Sequence, residues 1–572
     1  MRALAALIST IALFGCDYHR PLGTSLKPQP LGPLPGAGTG SGGSGGTPDL
    51  TWKPASDADS YEVQVDDSCR IGIPCDFPSP EIDVFVTDPY YVPVTPLTVP
   101  SSGPRRQTYC WRVRGCHQST CGDWSDPRCF VVGADKTLNR DLNGDGYADF
   151  VVGAPRYNTQ GTEDGRVGVF VGGAKLPERP ALVVPGQAYL HVGQSVATVG
   201  DVNGDGYGDY LVSNGGDSSN LNGNGTPAAV RVYFGGPTLK VQPDVVLTQP
   251  NQYYEVYYAT GCGDLNGDGY DDLAFTVQSN VPGGQLLGPW IEVHFGGPDL
   301  ATSAPLILQA GDAGGNLVQA VPAGDVNGDG YVDLLVSYVP PSGNVNGAMI
   351  FYGGPAMDVL PDVVIPWPDP TPAGSYTTVA GLGDVNGDGF ADVALGLPRT
   401  PFSDQVGLVR VFFGGEPPHT TADLMLAEDF AGDAFGTVIL PAGDLNQDGY
   451  ADFAVLSTGT PYMVTGSDGH SQTTMTHSGQ VLLFAGGPVP ASTPLAAVSA
   501  PSDHPYVFRA AIVDLGGDGV AEILVSEWSE NGSTMTESTQ VVIYGAGDNY
   551  AKPMRVLPGF KAGDDFGIAL SQ

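Results

Sequence analysis

The chain has 572 residues, 41% of them hydrophobic and 15% charged, with 62 acidic against 24 basic residues and a formal charge of −38. So large an acidic excess excludes a nucleic-acid backbone as partner. The apolar content and strand-like runs exclude a chain held unfolded by its own charge.

At the N-terminus, Arg2, the apolar run Ala3 to Phe14, and Gly15-Cys16 read as a secretory signal over residues 1–15. The run is too short for the ~20 residues that cross a hydrocarbon core. Leu13-Phe14-Gly15-Cys16 resembles a bacterial lipobox. That resemblance implies a lipidated Cys16 and a secreted lipoprotein held at the outer membrane, cell surface or periplasm by its acyl chains alone. Residues 16–47, with the glycine- and serine-rich stretch before Thr47, read as a tether spanning on the order of 30 Å.

Residues 48–133 follow as a small β-sandwich. Tyr61-Glu62-Val63-Gln64-Val65 and Tyr109-Cys110-Trp111-Arg112-Val113 alternate with the period of half-buried strands. Cys69, Cys75, Cys110, Cys116, Cys121 and Cys129 all fall here and are disulfide candidates, because no histidine set accompanies them to make a zinc site. Their pairing is left open. The strands, with Tyr109 at the corner position, resemble a fibronectin type III domain. Cys262, far outside this cluster, reads as a buried apolar residue.

Residues 134–572 are dominated by repetition. The pattern Asp-x-Asn-x-Asp-Gly-x-x-Asp starts at Asp141, Asp201, Asp264, Asp325, Asp384 and Asp444, with a degenerate copy at Asp514, at intervals of roughly 60 residues. Each loop is followed by an apolar run, a variable polar stretch, and a strand ending in paired glycines such as Val409-Arg-Val-Phe-Phe-Gly-Gly415. A unit of this size with four short strands is one propeller blade. The expected fold class is therefore all-β: a seven-bladed β-propeller preceded by a small disulfide-bonded β-sandwich. Asp433 to Ile439 is the kind of strand expected before each loop, and the closing stretch Asp565 to Gln572 repeats it without a loop. That stretch is expected to complete the first blade and so remove an exposed edge. With Phe435-Gly436 and Gly153-Ala154-Pro155, the repeat resembles the FG-GAP repeat of integrin α-subunit propellers and their bacterial relatives.

The loops gather hard oxygens as a calcium site does, with glycine at position six for the tight turn. The expected ligands of the first are Asp141, Asn143, Asp145, the Tyr147 carbonyl and Asp149; of the second, Asp201, Asn203, Asp205, Tyr207 and Asp209. The third offers Asp264, Asn266, Asp268, Tyr270 and Asp272, and the fourth Asp325, Asn327, Asp329, Tyr331 and Asp333. Asp384, Asn386, Asp388, Phe390 and Asp392 form the fifth, and Asp444, Asn446, Asp448, Tyr450 and Asp452 the sixth. The seventh keeps Asp514, Asp518 and Glu522 but has Gly516 in place of asparagine. Turn propensity alone does not explain an acid at position nine in every copy. Ca²⁺ at six to seven sites, chiefly structural, is the expected cofactor.

Connections within a blade alternate between its two faces, so the stretches 154–166, 213–228, 277–289, 337–347, 397–406, 457–478 and 527–539 lie opposite the calcium loops. Tyr157, Trp290, Tyr338, Tyr462 and Trp528 are the ligand-face candidates there. The resemblance implies that this face meets a ligand, protein or polysaccharide. The eight histidines form no metal or triad spacing, and no Gly-x-Ser-x-Gly, His-Glu-x-x-His or phosphate loop occurs. The chain therefore reads as a binding or adhesion protein with no catalytic residues. The alternative is an extracellular polysaccharide lyase or phospholipase on a calcium propeller.

Overall fold

Strand-forming runs of two kinds decide the architecture: continuous apolar runs after each acidic loop, and alternating runs after each pair of glycines. The computed structural model describes residues 29–32, 50–133 and 140–571. Within these it leaves out 56–57, 68–76, 95–96, 98–105, 119, 126–127, 159–162, 215–225, 251–252, 280–287, 312–313 and 342–346. It also leaves out 368–376, 399–405, 429–432, 447, 466–470, 502–503, 505, 518–519, 532–535 and 562. Residues 1–28, with the signal, Cys16 and most of the tether, lie outside the described residues, as do Cys69, Cys75 and Asp518.

The chain is all-β, with no α-helix among the described residues. Among the described residues, no helix is long and apolar enough to cross a membrane. Seven four-stranded antiparallel sheets cover 150–185 together with 569–570, then 196–248, 254–307, 316–366, 378–427, 438–499 and 506–558. In six of them the strands follow chain order. The first is different: Ala569–Leu570 pairs with Phe150–Ala154, Ala569 opposite Gly153 and Leu570 opposite Val152. The expected strand from the chain's last residues is thus present.

Each strand after an acidic loop is buried on both faces, Phe150–Ala154 and Asp209–Asn214 throughout their length. That is why these strands read as unbroken apolar runs. The fourth strands alternate instead, as at Val245–Thr248, because only one face is covered. Buried clusters join successive sheets: Val151 with Val212, Leu211 with Phe275, Ala274 with Leu334, Leu335 with Val393, Ala394 with Phe453, and Leu456 with Val525. A last cluster joins Leu524 back to Phe150. The contacts are cyclic, as in a propeller.

Three expectations about local structure are corrected. The strand expected at Asp433 to Ile439 begins at Val438, because Phe435-Gly436 forms a turn with Gly436 at φ 89°. The stretches 457–478 and 527–539 are largely strand: Asp452–Thr465 pairs with Ser471–Phe484, and Glu522–Asn531 with Thr536–Tyr544. Their many threonines favour extended backbone over a loop. Finally, Gln29–Gly32, inside the expected tether, pairs with Leu50–Lys53, with Pro30 on an edge strand where a missing N–H is tolerated.

In front, a three-stranded sheet (Gln29–Gly32, Leu50–Lys53, Tyr90–Tyr91) and a five-stranded sheet share a core around Trp52, Val63, Tyr109 and Trp111. Cys116 and Cys121 form a disulfide between facing positions of two strands. Cys110 is also disulfide-bonded, and its register partner across the sheet is Cys129. Cys262 is a free, buried thiol, as expected.

Candidate functional site

An acidic loop precedes the second strand of each sheet, and six of these loops fold alike. The position-one carboxylate accepts backbone N–H groups from within its own turn. Asp141 takes those of Gly144, Asp145 and Gly146 at 2.7 to 3.1 Å, and Asp201, Asp264, Asp325 and Asp384 repeat the set. Asp444 repeats it from Asp448 and Gly449. The asparagine at position three donates its amide to the position-five carboxylate, as Asn143 does to Asp145 at 2.9 Å. The turn therefore gathers the oxygens of positions one, three and five. Glycine at position six makes this possible, Gly146 lying at φ 91°.

Position nine has a second task. Asp149 accepts the N–H of Leu142 on one oxygen and that of Gly172, the first of the paired glycines, on the other, both at 2.8 Å. Asp209, Asp272, Asp333, Asp392 and Asp452 make the same two bonds. The invariant acid thus ties the loop to the third strand of its own sheet. Even in the seventh loop Glu522 caps Leu515 at 2.8 Å, so the exchange of aspartate for glutamate keeps this bond.

All six aspartates at position nine are fully buried. Burial pushes Asp149 up to about 7, and Asp209 and Asp333 up to about 8, with the neighbouring carboxylates of the same loop adding to the effect. Asp272 and Asp392 are likewise raised well above the usual carboxylate range, chiefly by burial. A carboxylate oxygen that accepts one N–H retains a lone pair for a cation. Several hard oxygens, buried and mutually repelling, are a donor set that fits a divalent hard cation.

Neighbouring loops also touch. The position-seven ring of each loop lies over the position-four glycine of the loop before it: Tyr207 over Gly144, Tyr270 over Gly204, Tyr331 over Gly267, Phe390 over Gly328 and Tyr450 over Gly387. A Cβ on Gly204 would stand 2.7 Å from the Tyr270 ring, and one on Gly328 2.6 Å from Phe390. Tyr147 of the first loop covers Gly517 of the seventh, which carries the series across the ends of the repeat array. The sixth loop has Gln447 at position four, and the seventh has Val520 at position seven. Where the glycine is lost, the ring that would need it is lost too. We predict that Gly204→Ala destabilises the fold by about 2–4 kcal/mol, through a left-handed φ of 78° and the collision with Tyr270. In the double variant with Tyr270→Val, at least about 1 kcal/mol of that loss should be absent in urea unfolding. Strict additivity would mean that the ring and glycine do not interact.

The ligand-face candidates part company. Tyr338 is 6% exposed and packs in the core between the third and fourth sheets, so it is not available to a ligand. Its position on a strand, rather than on the connection beyond it, turns the ring inward. Tyr157 is half-buried against Phe560, with the Arg166 guanidinium 3.7 Å from its ring centre. Trp290 is half-buried, donates to Glu292 and packs edge-on against Tyr254. Trp528 is half-buried between Tyr506 and Phe508. Tyr462 lies in the long hairpin opposite Thr474, and its side chain is outside the described residues.

No motif points to a further feature, a cavity of about 990 Å³ on the axis of the ring, lined by the first strands of the sheets at Ala197, Ala259, Ala320, Val379 and Ile439. Its mouth, at the end away from the acidic loops, carries Glu163, Tyr189, His191, Tyr258 and Asp565. These residues belong to connecting segments and, for Tyr258, to an irregularity within the strand Tyr254–Gly263, far apart in the chain, and no local pattern marks them.

Comparison with known proteins agrees with the repeat architecture. The FG-GAP repeat family matches residues 137–170. Integrin alpha-PS3 of Drosophila melanogaster is 33% identical over 147 residues, 24% of this chain and 12% of the relative. Integrin alpha-3 of Mus musculus is 43% identical over 75 residues, 13% of this chain and 7% of the relative. Integrin alpha-5 of Xenopus laevis is 29% identical over 163 residues, 25% and 14% of the two chains. The matched part thus spans a seventh or less of each of these relatives. The chain carries an FG-GAP repeat and is integrin-α-like in its repeat region.

Proposed function

We propose that residues 134–572 form a closed, calcium-loaded seven-bladed β-propeller that acts as a binding or adhesion protein, with protein or polysaccharide as ligand and no catalytic activity. Residues 48–133, extended by the strand at 29–32, are its disulfide-bonded, fibronectin-like sandwich. Lipidated Cys16 anchors it outside the cytoplasm, at the cell surface, outer membrane or periplasm.

The observation that carries this reading is the placement of the loops. Seven sheets present an acidic loop at one end, in nearly constant form, and connections of differing length and composition at the other. The constant end suits a structural cation; the variable end suits a specific ligand. The integrin similarity supports adhesion, and the absence from the sequence of a recognisable catalytic motif supports binding over the lyase or phospholipase alternative.

The test is a binding screen of the full chain in millimolar calcium against extracellular proteins and polysaccharides. Trp528→Ala and Tyr462→Ala are each expected to weaken the ligand found by about tenfold or more with the melting temperature unchanged. Unaltered affinity in both would remove these residues from the site. Release of unsaturated sugars from any polysaccharide would replace binding by catalysis.

A further inference from the structure

Among the described residues, five of the ten non-glycine residues with positive φ meet at the mouth of the axial cavity: Glu163 at 41°, Tyr189 at 65°, His191 at 49°, Tyr258 at 48° and Asp565 at 55°. Part of this belongs to the fold. His191 and Asp565 precede the glycine turns at Gly193 and Gly567, and Ala434, at φ 54°, stands at the same turn of the sixth sheet. The fold needs no ionisable side chain there, since alanine suffices. Glu163, Tyr189 and Tyr258 occupy no such shared turn. Strained backbone of this kind persists where the surroundings enforce it, and it gathers at ligand sites.

The side chains point to one chemistry. Among the described residues beyond 134, the exposed aromatic residues are Tyr189, Tyr258 and Phe508. The first two line the mouth, and Phe508 adjoins Arg509, which also lines it. Exposed tyrosine faces are what a sugar ring packs upon. Around them the charges are already matched. Arg156 lies 3.2 Å from Asp565, His191 lies 3.5 Å from Glu163, and the Tyr257 hydroxyl donates to Glu255. In a chain of charge −38, two arginines and a histidine stand here beside only three acids. A charged ligand would have to break these pairs. A neutral polyhydroxylated one meets donors and acceptors held in place.

The segments that carry these groups are braced. His191 and Val192 donate to the carbonyls of Glu163 and Asp164, and Gly165 bridges to Val192. Ile568 N–H closes a turn on the Asp565 carbonyl, and Gly567 donates to Gly153. A rim fixed in this way loses little freedom when a ligand settles. The cavity volume is that of a ligand pocket.

We infer that the mouth of the axial channel is a binding site for a neutral oligosaccharide, stacked on Tyr189 and Tyr258 and hydrogen-bonded by the Arg156–Asp565 and His191–Glu163 pairs. This rests on the proposed binding function and names its ligand class and position.

The experiment is calorimetric titration of the full chain, in millimolar calcium, with cellohexaose, xylohexaose, mannohexaose and chitohexaose. Hexa-arginine and hexagalacturonate serve as charged probes. At least one neutral sugar is expected to bind saturably. Tyr189→Ala and Tyr258→Ala should each weaken it roughly tenfold, with the calcium-form melting temperature unchanged. Met425→Ala, 65% exposed on an outer strand, should not weaken it. Sugar binding indifferent to both tyrosines overturns the site. Hexa-arginine binding that is lost in the tyrosine variants, with no sugar bound, overturns the ligand class and leaves the binding face standing. If no sugar, charged probe or extracellular protein binds, this inference and the binding function both fail.

Discussion

Chelation is expected to lower the melting temperature of the full chain by a large margin, and the loss should deepen as pH rises. At ~1 mM calcium a site of 10⁻⁴ M affinity adds roughly 1.4 kcal/mol, so six sites approach ~8 kcal/mol. A domain's whole stability is ~5–15 kcal/mol. The pH dependence follows from the buried acids. In calcium-free protein Asp452 is raised to about 6, Asp149 and Asp384 to about 7, and Asp209 and Asp333 to about 8, chiefly by burial. Unfolded, such groups titrate near 3.9. Between about pH 4 and 8 the folded state therefore holds more protons than the unfolded one, and stability without calcium falls as pH climbs through that window. Calcium needs the ionised form, so its contribution grows over the same range. Scans from pH 5 to 8, with calcium and with chelator, should diverge steadily. Coincident curves would show that the loops are turns and nothing more, and a chelated protein that gains stability with pH would contradict the burial argument.

Removing residues 564–572 is the second large effect. Phe566, 1% exposed, packs against Phe170 and Phe560, and Leu570 is buried in the same cluster. Ser571 receives the Val151 N–H on its hydroxyl at 2.8 Å and donates its own N–H to the Val151 carbonyl at 3.0 Å. Losing one buried phenylalanine costs about 3–5 kcal/mol and one leucine about 2–5 kcal/mol. The deletion also uncovers Phe150–Ala154, a fully buried strand, as a free apolar edge. The truncated chain is expected to aggregate and to lose its cooperative unfolding transition, as read by size-exclusion chromatography and circular dichroism. A monomeric truncated chain with an unchanged melting temperature would show that the last strand does not hold the ring.

Features set by local chemistry were readable in the sequence. The loops are legible because their oxygens come from one nine-residue turn, and the second strands because burial on both faces makes them unbroken apolar runs. The pairing of Ala569–Leu570 with the first sheet was legible from a repeat count that left one strand short. What escaped depended on distance. Tyr338 reads as a loop aromatic but falls on the side of its strand that faces the preceding sheet. The hairpin through Tyr462 looks like a variable loop because its glycines, serines and aspartate mask the strand preference of its threonines. Tyr189, Tyr258 and Asp565 become neighbours only when the ring is drawn. The role of position nine in capping Gly172 needs the third strand in place beside the loop.

The contacts between successive loops all lean the same way. The N–H of Gly236 in the second sheet caps the Leu142 carbonyl of the first loop. Gly297, Gly354, Gly415 and Gly487 do the same for Val202, Leu265, Val326 and Val385, and Gly173 does so for Leu515. The rings of Tyr207, Tyr270 and their counterparts follow the same sense. The first five acidic turns are therefore each finished by protein that is synthesised later than the turn itself. A half-delivered chain holds only its earlier turns complete, and its newest one waits for the next repeat. Since Tyr147 and Gly173 finish the seventh turn, the first repeat is both the earliest to arrive and the last to be used.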